Sequence, residues 1–315
     1  MQSRIFSLNK DHGFKNKLMS LEDAISLISN GDTVAIGGTV ITRDPFGAIW
    51  QIIKSEKRNL TVVRTMMSFE GIILAVSGVA KKLITSWIAI AGPFGVSKAF
   101  SELLASKKID FEEWSHMGIL LRFYAGAMGI PFIPTYTMIG SDILNKLNLK
   151  VMESPYGGGK VVLIPAINPD VAVIHVQRAD RFGNAQILGM PIQDKEIALA
   201  SKKVIITAEE IVSEEYIRRN PEATDIPHFA VDAVVKLPLG AYPTECQGYY
   251  ESDLNFLEEL SRYDKEKGVE GINEFIEKYI YGKKNFNDFL KTVDPRELIS
   301  IMYSMKELMS GDNLI

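Results

Sequence analysis

Short apolar runs that alternate with helical segments are the feature that most constrains this fold. The runs Thr33 to Ile36, Leu60 to Val63 and Val171 to Val176 are almost continuously apolar, which predicts strands buried on both faces of a sheet. Between the first two runs, Asp44 and Pro45 begin a segment with helical periodicity, with proline at the first helical position. The order helix, strand, helix, strand predicts an α/β fold: an open, mostly parallel sheet flanked by helices.

The same alternation continues along the chain until its character changes near Tyr250. Further strands are predicted at Lys82 to Trp87, Val161 to Ile164, Val204 to Ile206 and Val231 to Lys236, and further helices at Ser97 to Ser106 and Met117 to Met128. The segments after Tyr250 are amphipathic and rich in charge, which predicts helices. We therefore divide the chain into an α/β domain, residues 1–250, and a helical C-terminal extension packed on it, residues 251–315.

Composition and charge argue against several classes of function. The chain has 315 residues, of which 46% are hydrophobic and 23% charged, as expected for a globular protein with one or two cores. The formal charge of -4 and the pI of about 5.7 argue against a nucleic-acid-binding protein. The apolar stretches are too short to span a bilayer, and the N-terminus is polar and lacks a secretory leader. We expect a cytoplasmic protein.

Cysteine and histidine usage predicts neither a disulfide nor a metal site. Cys246 is the single cysteine, which fits a reducing compartment. The four histidines are far apart in the sequence, and none belongs to a HExxH or CxxC pattern. They are His12, His116, His175 and His228. We expect no metal and no cofactor.

A glycine-rich segment, Gly157 to Lys160, has some likeness to a phosphate-binding loop. The P-loop pattern requires glycine where this chain has Ser154, and serine or threonine where it has Val161. The segment also leads into a predicted strand, so no helix N-terminus would face a phosphate. We interpret it as a surface loop.

Several segments taken together resemble the A (α) subunit of family I CoA-transferases of the glutaconate CoA-transferase type. They are NGDTVAIGG at 30–38, GAMGIPF at 126–132, HVQRAD at 175–180 with GN at 183–184, TAEEIV at 207–212, PLGAYPT at 238–244 and KYIYG at 278–282. Each segment alone has little specificity, and their order from about Ser20 to the C-terminus carries the resemblance. One departure is Tyr242, where the family more often has histidine.

The resemblance implies an A subunit that pairs with a B (β) subunit of similar open α/β fold, with the active site at their interface. It implies that the acyl-CoA thioester is attacked by a glutamate of the B subunit. CoA then passes through a glutamyl-CoA thioester to an incoming carboxylate. Nothing in this chain matches the context of that nucleophile, so we expect no catalytic nucleophile here.

The first candidate site residues are Gly37, Gly38 and Thr39, which follow a predicted strand. Glycine lets the backbone approach a ligand closely, and backbone N–H groups stabilise the negative charge that develops on a thioester carbonyl. We expect these residues to line the acyl-CoA site. The alternative is a tight turn that only glycine permits.

Two further candidates follow the strand that ends near Arg64. Ser68 would lie where open α/β sheets bind ligands and could hydrogen-bond a substrate carboxylate, or it could cap the next helix. Glu70 is the rival nucleophile within this chain, because a carboxylate can attack a thioester. We favour the other interpretation of Glu70, an acid in the first turn of a helix.

Arginine is the third kind of candidate. The planar guanidinium groups of Arg43 and Arg122 suit the free carboxylate of a diacid substrate. Arg122 lies in an apolar helical segment, and the alternative for it is a pair with an internal acid. His175, Glu209 and Glu210 are prominent, but we expect them to be structural.

Two other functions remain open. Relatives of this family act as CoA-ester hydrolases, including ring-opening enzymes of steroid breakdown, and the residues of this chain do not separate the two reactions. The third possibility is a non-catalytic protein that binds a small acid or a thioester on the same fold.

Overall fold

The computed structural model describes residues 13–310. The first 12 residues of the predicted α/β domain and the last five of the predicted helical extension lie outside the described residues. The strands are β1 (Thr33–Ile36), β2 (Leu60–Val63), β3 (Ala80–Thr85), β4 (Asp110–Glu113), β5 (Phe132–Thr135), β6 (Val151–Glu153), β7 (Lys160–Pro165), β8 (Val171–Asp180), β9 (Ala185–Gln186), β10 (Lys203–Val212) and β11 (Ala233–Lys236).

The helices connect and cover these strands. They are α1 (Leu21–Ser26), α2 (Phe46–Lys54), α3 (Phe69–Val76), α4 (Ala91–Phe94), α5 (Lys98–Ala105), α6 (His116–Met128), α7 (Asp142–Lys146), α8 (Asp194–Ala200), α9 (Glu214–Arg219), α10 (Leu254–Lys267), α11 (Val269–Ile276), α12 (Phe286–Leu290) and α13 (Pro295–Ser310). A π-helical turn, Glu277–Tyr281, continues α11. Within residues 13–310, no helix is both long and apolar enough to cross a membrane.

The main sheet has the strand order β11-β10-β8-β1-β2-β3-β4, and these neighbours all pair in parallel. The short strand β9 adds an antiparallel pair to β8. From β1 the chain moves outward to β4 on one side, and from β8 it moves outward to β11 on the other. The strand order therefore reverses between β1 and β8, the kind of position where open α/β sheets bind ligands. The predicted fold class is confirmed.

A second, antiparallel sheet of order β5-β7-β6 lies beside the first. Val162 and Ile164 of β7 point into the core, while Leu163 and Pro165 alternate with them on the other face and are half-buried. The predicted strand at Val161 to Ile164 is therefore present, but it belongs to this antiparallel sheet and not to the main sheet. An apolar run alone does not distinguish the two kinds of strand.

The C-terminal helices complete the core on one side of the main sheet. Leu257, Phe275 and Phe289 are buried in the same hydrophobic cluster as Ile49 of α2. The indole Nε1 of Trp50 donates to the carbonyl of Tyr279 at 2.9 Å. The extension is thus helical and packed on the sheet, and a domain boundary at residue 250 stays a prediction.

Candidate active site

Loops that follow neighbouring parallel strands meet at one edge of the main sheet, which we call the carboxyl edge. The β1 loop, residues 37–44, contacts the segment after β9, because the Gly38 N–H donates to Asp194 Oδ1 at 2.8 Å. It also contacts the segment after β11, because the Arg43 N–H donates to the Glu245 carbonyl at 2.8 Å. The β1 loop carries Gly37, Gly38, Thr39 and Arg43, Ser68 and Glu70 follow β2, and Arg122 lies in α6.

The backbone N–H groups of Gly37, Gly38 and Thr39 all have acceptors within the chain. Gly37 donates to the Val173 carbonyl at 2.9 Å, and Thr39 donates to the Thr42 carbonyl at 2.9 Å. Gly38 donates to the Asp194 carboxylate, as described above. One N–H of the β1 loop thus binds the Asp194 carboxylate, and a direct role of these N–H groups toward a substrate stays a prediction.

The two glycines are required by close packing. A Cβ on Gly38 would lie 2.4 Å from the Thr42 carbonyl oxygen, and Gly38 has a φ of 67°. A Cβ on Gly37 would lie 2.6 Å from Asp194 Oδ1. The tight-turn interpretation of these residues therefore describes their local geometry.

Arg43 is fully buried and paired with an internal acid. Its Nη1 lies 2.6 Å from Asp194 Oδ2, and both side chains have no exposed surface. Nη1 also donates to the His175 carbonyl, and Nη2 donates to the Met190 carbonyl at 2.8 Å. This arrangement does not support the expected contact between Arg43 and a substrate carboxylate, because the guanidinium has no accessible face.

Arg122 is also paired with an internal acid, which is the alternative to substrate binding that the sequence left open. Its Nη1 lies 3.1 Å from Glu112 Oε1, and its guanidinium lies over the ring of Trp114. Burial alone would raise the pKa of Glu112, but hydrogen bonds from Lys82 and Trp114 lower it. Glu112 lies in β4 at the far end of the sheet order, so Arg122 is not part of the β1 loop cluster.

Three buried ionisable groups meet where the β1 loop ends. Arg64 Nη1 lies 2.5 Å from Glu70 Oε1 and 3.5 Å from Asp44 Oδ2, and all three side chains are at most 1% exposed. Burial and the neighbouring Glu70 raise the pKa of Asp44 well above its ordinary value, although Arg64 opposes this. Asp44 therefore holds its proton to higher pH than an exposed aspartate does.

Ser68 and Glu70 lie at the start of α3. Ser68 has the N-cap position, but its hydroxyl does not cap α3 and instead accepts from the Ala91 N–H at 3.1 Å. Glu70 is in the first helical turn and accepts from the Ser68 N–H at 2.9 Å. Glu70 is buried and paired with Arg64. This agrees with the interpretation of Glu70 as an acid in the first turn of a helix, and it does not support a nucleophile that a thioester could reach.

His175 and Glu209 belong to a closed hydrogen-bond network. His175 Nε2 lies 2.8 Å from Glu209 Oε1, and His175 Nδ1 lies 2.9 Å from the Thr207 hydroxyl. Glu209 also accepts from the Tyr250 hydroxyl and from the N–H of Leu239. The donor atoms of His175, Glu209 and Cys246 lie within 4.8 Å of one another. Because the Glu209 oxygens already accept several hydrogen bonds, we interpret the cluster as structural.

Strained backbone is present at the carboxyl edge. Among non-glycine residues with positive φ are Val40 at 45°, Ala91 at 37°, Ile192 at 50° and Leu239 at 57°. Such φ values are genuine outliers for β-branched side chains, and strain of this kind persists only where the surrounding structure enforces it. Strained residues are common at functional sites, which favours the carboxyl edge as the site.

The sequence pattern of the coenzyme A transferase family matches residues 18–237, well over half of the chain. This chain belongs to the coenzyme A transferase family. It is 33% identical to the A subunit of glutaconate CoA-transferase from Acidaminococcus fermentans, over 91% of this chain and 94% of that protein. The crystal structure of that glutaconate CoA-transferase superposes with a TM-score of 0.86, covering 90% of this chain and 95% of the other.

Two further relatives represent the transferase and the hydrolase reactions considered above. This CoA-transferase chain is 33% identical to the A subunit of 3-oxoadipate CoA-transferase from Pseudomonas knackmussii, over 87% of the chain and 96% of that protein. It is 26% identical to the cholesterol ring-cleaving hydrolase IpdA subunit of Rhodococcus jostii, over 86% of the chain and 94% of that protein. The recognised family is thus confirmed, and its relatives include subunits of both transferases and a hydrolase.

Sequence reasoning missed the residue that organises the site of this CoA-transferase chain, Asp194. It lies far from the β1 loop in sequence, and no motif of the sequence analysis includes it. The strained Val40 was missed as well, because no residue type marks a valine for a positive φ. The glycine pair at 37–38 was the signal that the backbone packs tightly there.

Proposed function

We propose that this chain is the A subunit of an acyl-CoA:carboxylate CoA-transferase and contributes half of an active site that a B subunit completes. The observation that carries the proposal is the similarity, over nearly the whole chain in sequence and in structure, to the A subunit of glutaconate CoA-transferase. Its relatives are named as subunits, which supports a heteromeric assembly. Its substrates would be an acyl-CoA and a carboxylate.

The proposed reaction starts at a glutamate carboxylate of the B subunit. Its oxygen attacks the thioester carbonyl, the carbonyl electrons move to oxygen, and their return expels the CoA thiolate and leaves a mixed anhydride. The thiolate then attacks the glutamyl carbonyl and releases the acyl group as a free carboxylate, which leaves a glutamyl-CoA thioester. An incoming carboxylate reverses these steps and leaves with CoA.

This chain would contribute a rigid wall of the substrate-binding site, formed by the β1 loop and the start of α3, and the B subunit would contribute the attacking oxygen. The buried pair of Arg43 and Asp194 holds the β1 loop in one conformation, and the pair of Arg64 and Glu70 holds the start of α3. A preorganised backbone costs no reorganisation during reaction, which is how polar backbone groups stabilise an oxyanion. The candidates Gly37, Gly38, Thr39 and Ser68 remain proposed contributors to that wall.

A CoA-ester hydrolase subunit is the second candidate function. The similarity to the cholesterol ring-cleaving hydrolase IpdA subunit favours it. Water would then replace the incoming carboxylate, or the partner would supply a different catalytic group. Both reactions place the deciding residues on the B subunit.

Separate assays of this chain, alone and with its B subunit, distinguish these functions. Each sample is incubated with an acyl-CoA and a carboxylate, and CoA-ester exchange and free thiol are followed in parallel. A transferase gives exchange only with both chains present, and the exchange stops when the partner's candidate glutamate is replaced by glutamine. Thiol release without exchange supports a thioester hydrolase, and addition of water to a cyclic acyl-CoA without thiol release supports a ring-cleaving hydrolase. Ligand binding without turnover supports a binding protein. The cytoplasmic location stays a prediction.

A further inference from the structure

Residues Val40 and Ile41 form a two-residue turn at the tip of the β1 loop. The Thr39 N–H donates to the Thr42 carbonyl at 2.9 Å, and the Thr42 N–H donates back to the Thr39 carbonyl at 2.7 Å. Val40 has a φ of 45°, a conformation that two-residue turns usually give to glycine or asparagine. A valine in this position is the least expected residue of the turn.

The turn is held from both sides, which explains how the strain persists. The buried pair of Arg43 and Asp194 fixes one side at the Gly38 N–H. On the other side, the Glu245 N–H donates to the Ile41 carbonyl at 2.9 Å, and the Thr42 hydroxyl donates to Glu245 Oε1 at 2.7 Å. The anchored backbone presents the turn as a fixed projection at the carboxyl edge.

The surface of this projection is apolar, with negative charge beside it. Val40 and Ile41 are half-buried, and Ile41 also packs against the hydrophobic core. Met190, whose carbonyl accepts from Arg43, is 67% exposed. The positive charge of Arg43 is sealed inside and neutralised by Asp194, whereas the Glu245 carboxylate is partly exposed at the base of the turn. Apolar groups gain by contact with such a surface, and an anion beside it is disfavoured.

We propose that the Val40–Ile41 turn contacts the acyl group of the CoA ester and selects acyl groups that carry no second carboxylate. The inference rests on the proposed function, because it assigns the substrate class of the same site. The methyl groups of Val40 pack against aliphatic carbons and exclude water. A distal carboxylate in the same place would lose its hydration next to apolar side chains and to Glu245.

The test uses the assembled A and B subunits with butyryl-CoA and glutaryl-CoA, which differ by one terminal carboxyl group, and acetate as the acceptor. The variants are Val40→Ala and Val40→Gly. The control is Lys107→Gly, which changes another positive-φ residue, at 54°, in an exposed turn after α5. For each protein, kcat and KM with both esters and the Tm are measured.

We expect the wild type to prefer butyryl-CoA by at least tenfold in kcat/KM. Both Val40 variants should reduce that preference at least fivefold, chiefly through a higher KM for butyryl-CoA. Val40→Gly should keep the Tm at or above that of the wild type, because glycine relieves the φ strain, so a change in selectivity cannot come from unfolding. Lys107→Gly should leave the preference unchanged.

A preference for glutaryl-CoA in the wild type would overturn the inference, and so would a selectivity that stays within twofold in both Val40 variants. Neither result affects the proposed function, since exchange still occurs. The absence of exchange with every CoA ester and both chains present would instead overturn the proposed function, and this inference with it.

Discussion

Buried charge where the β1 loop ends is the most consequential feature at the scale of single residues. Arg64 depends on Glu70 for its charge partner, and both are sealed from solvent. Removing one partner of a buried pair typically costs about 3–5 kcal/mol. We expect Glu70→Ala to lower the free energy of unfolding by about this amount and Glu70→Gln to lower it less, since the amide oxygen still accepts from Arg64. Urea denaturation measures both.

The same substitution tests the assignment of the nucleophile. If the attacking glutamate belongs to the B subunit, the folded fraction of Glu70→Gln keeps kcat within a few-fold of the wild type. Glu113→Gln, a change at a half-exposed acid of β4, serves as a control that should alter neither stability nor turnover. Complete loss of turnover in a folded Glu70→Gln protein would make Glu70 the nucleophile and contradict the shared site.

Asp44 gives a pH-dependent prediction at the same scale. Its pKa in the folded chain is raised well above 3.8, mainly by burial and then by Glu70. Above its ordinary pKa the folded state binds more protons than the unfolded state, so this group lowers stability as pH rises toward its raised pKa. The slope approaches about 1.4 kcal/mol per pH unit within that window.

Asp44→Asn removes this titration while it keeps a neutral polar side chain. We expect the stability of the variant relative to the wild type to increase from pH 4.5 toward neutral pH, measured by urea denaturation at several pH values. A difference that is constant across this range would mean that Asp44 is ionised in the folded chain and would refute the prediction.

The residue scale also shows what a sequence can reveal. The internal-acid alternative for Arg122 was foreseen, because an arginine in an apolar helical segment needs a partner. Glu112 itself was not identifiable, and neither was Asp194 as the partner of Arg43. Both pairs join residues from different elements, and the distance between them is set by the sheet order rather than by spacing along the chain.

At the scale of elements, the β1 loop depends on Gly38. Alanine at this position would bring a Cβ within 2.4 Å of the Thr42 carbonyl oxygen, a backbone atom that has no room to move. We expect Gly38→Ala to lower the Tm and to reduce exchange activity at least a hundredfold in the assembled enzyme.

Gly78→Ala is the matched control for that loop. Gly78 has a similar φ of 74°, but a Cβ added there would meet no atom of residues 13–310 within 4 Å. Its substitution should cost only the left-handed backbone penalty, about 1–2 kcal/mol, with activity retained. Equal losses of activity in both variants would show that backbone strain, and not the packing of the β1 loop, causes the effect.

Strand positions were predictable from the sequence where burial of the strand on both faces alone determines them. β1 and β2 have the predicted bounds, because their runs are continuously apolar and lie in the middle of the sheet. The strand β4 escaped prediction because its sequence, DFEE, is polar, as an edge strand that faces solvent permits. The antiparallel pairing of β7 could not be predicted from the sequence either, since the relative direction of a strand depends on which strands lie beside it in the fold.

At the scale of the whole molecule, the helical extension shares the core of the α/β sheet. Phe275 of α11 is fully buried and touches Phe256 and Tyr279. Phe275→Ala should destabilise the whole chain by about 3–5 kcal/mol in a single unfolding transition. Ile299→Ala, at a residue 57% exposed on α13, should change stability by less than about 0.5 kcal/mol. A separate early transition in Phe275→Ala would instead identify residues 251–315 as an independent domain.

The family and the open α/β sheet were both recognisable from the sequence, because an ordered set of segments spans most of the chain. The completed active site was not, since the proposed account places its reacting glutamate on another polypeptide. One chain holds the loops and their buried anchors, and no pattern within it can reveal the atoms that a partner contributes.

The central claim is that this chain supplies no nucleophile, and intact-mass spectrometry tests it directly. The assembled A and B subunits are mixed with an acyl-CoA without acceptor, denatured, and weighed as separate polypeptides. We expect a CoA adduct on the B subunit, removed by hydroxylamine, and an unmodified mass for this chain. A CoA adduct on this chain, mapped to the peptide that carries Glu70, would contradict it.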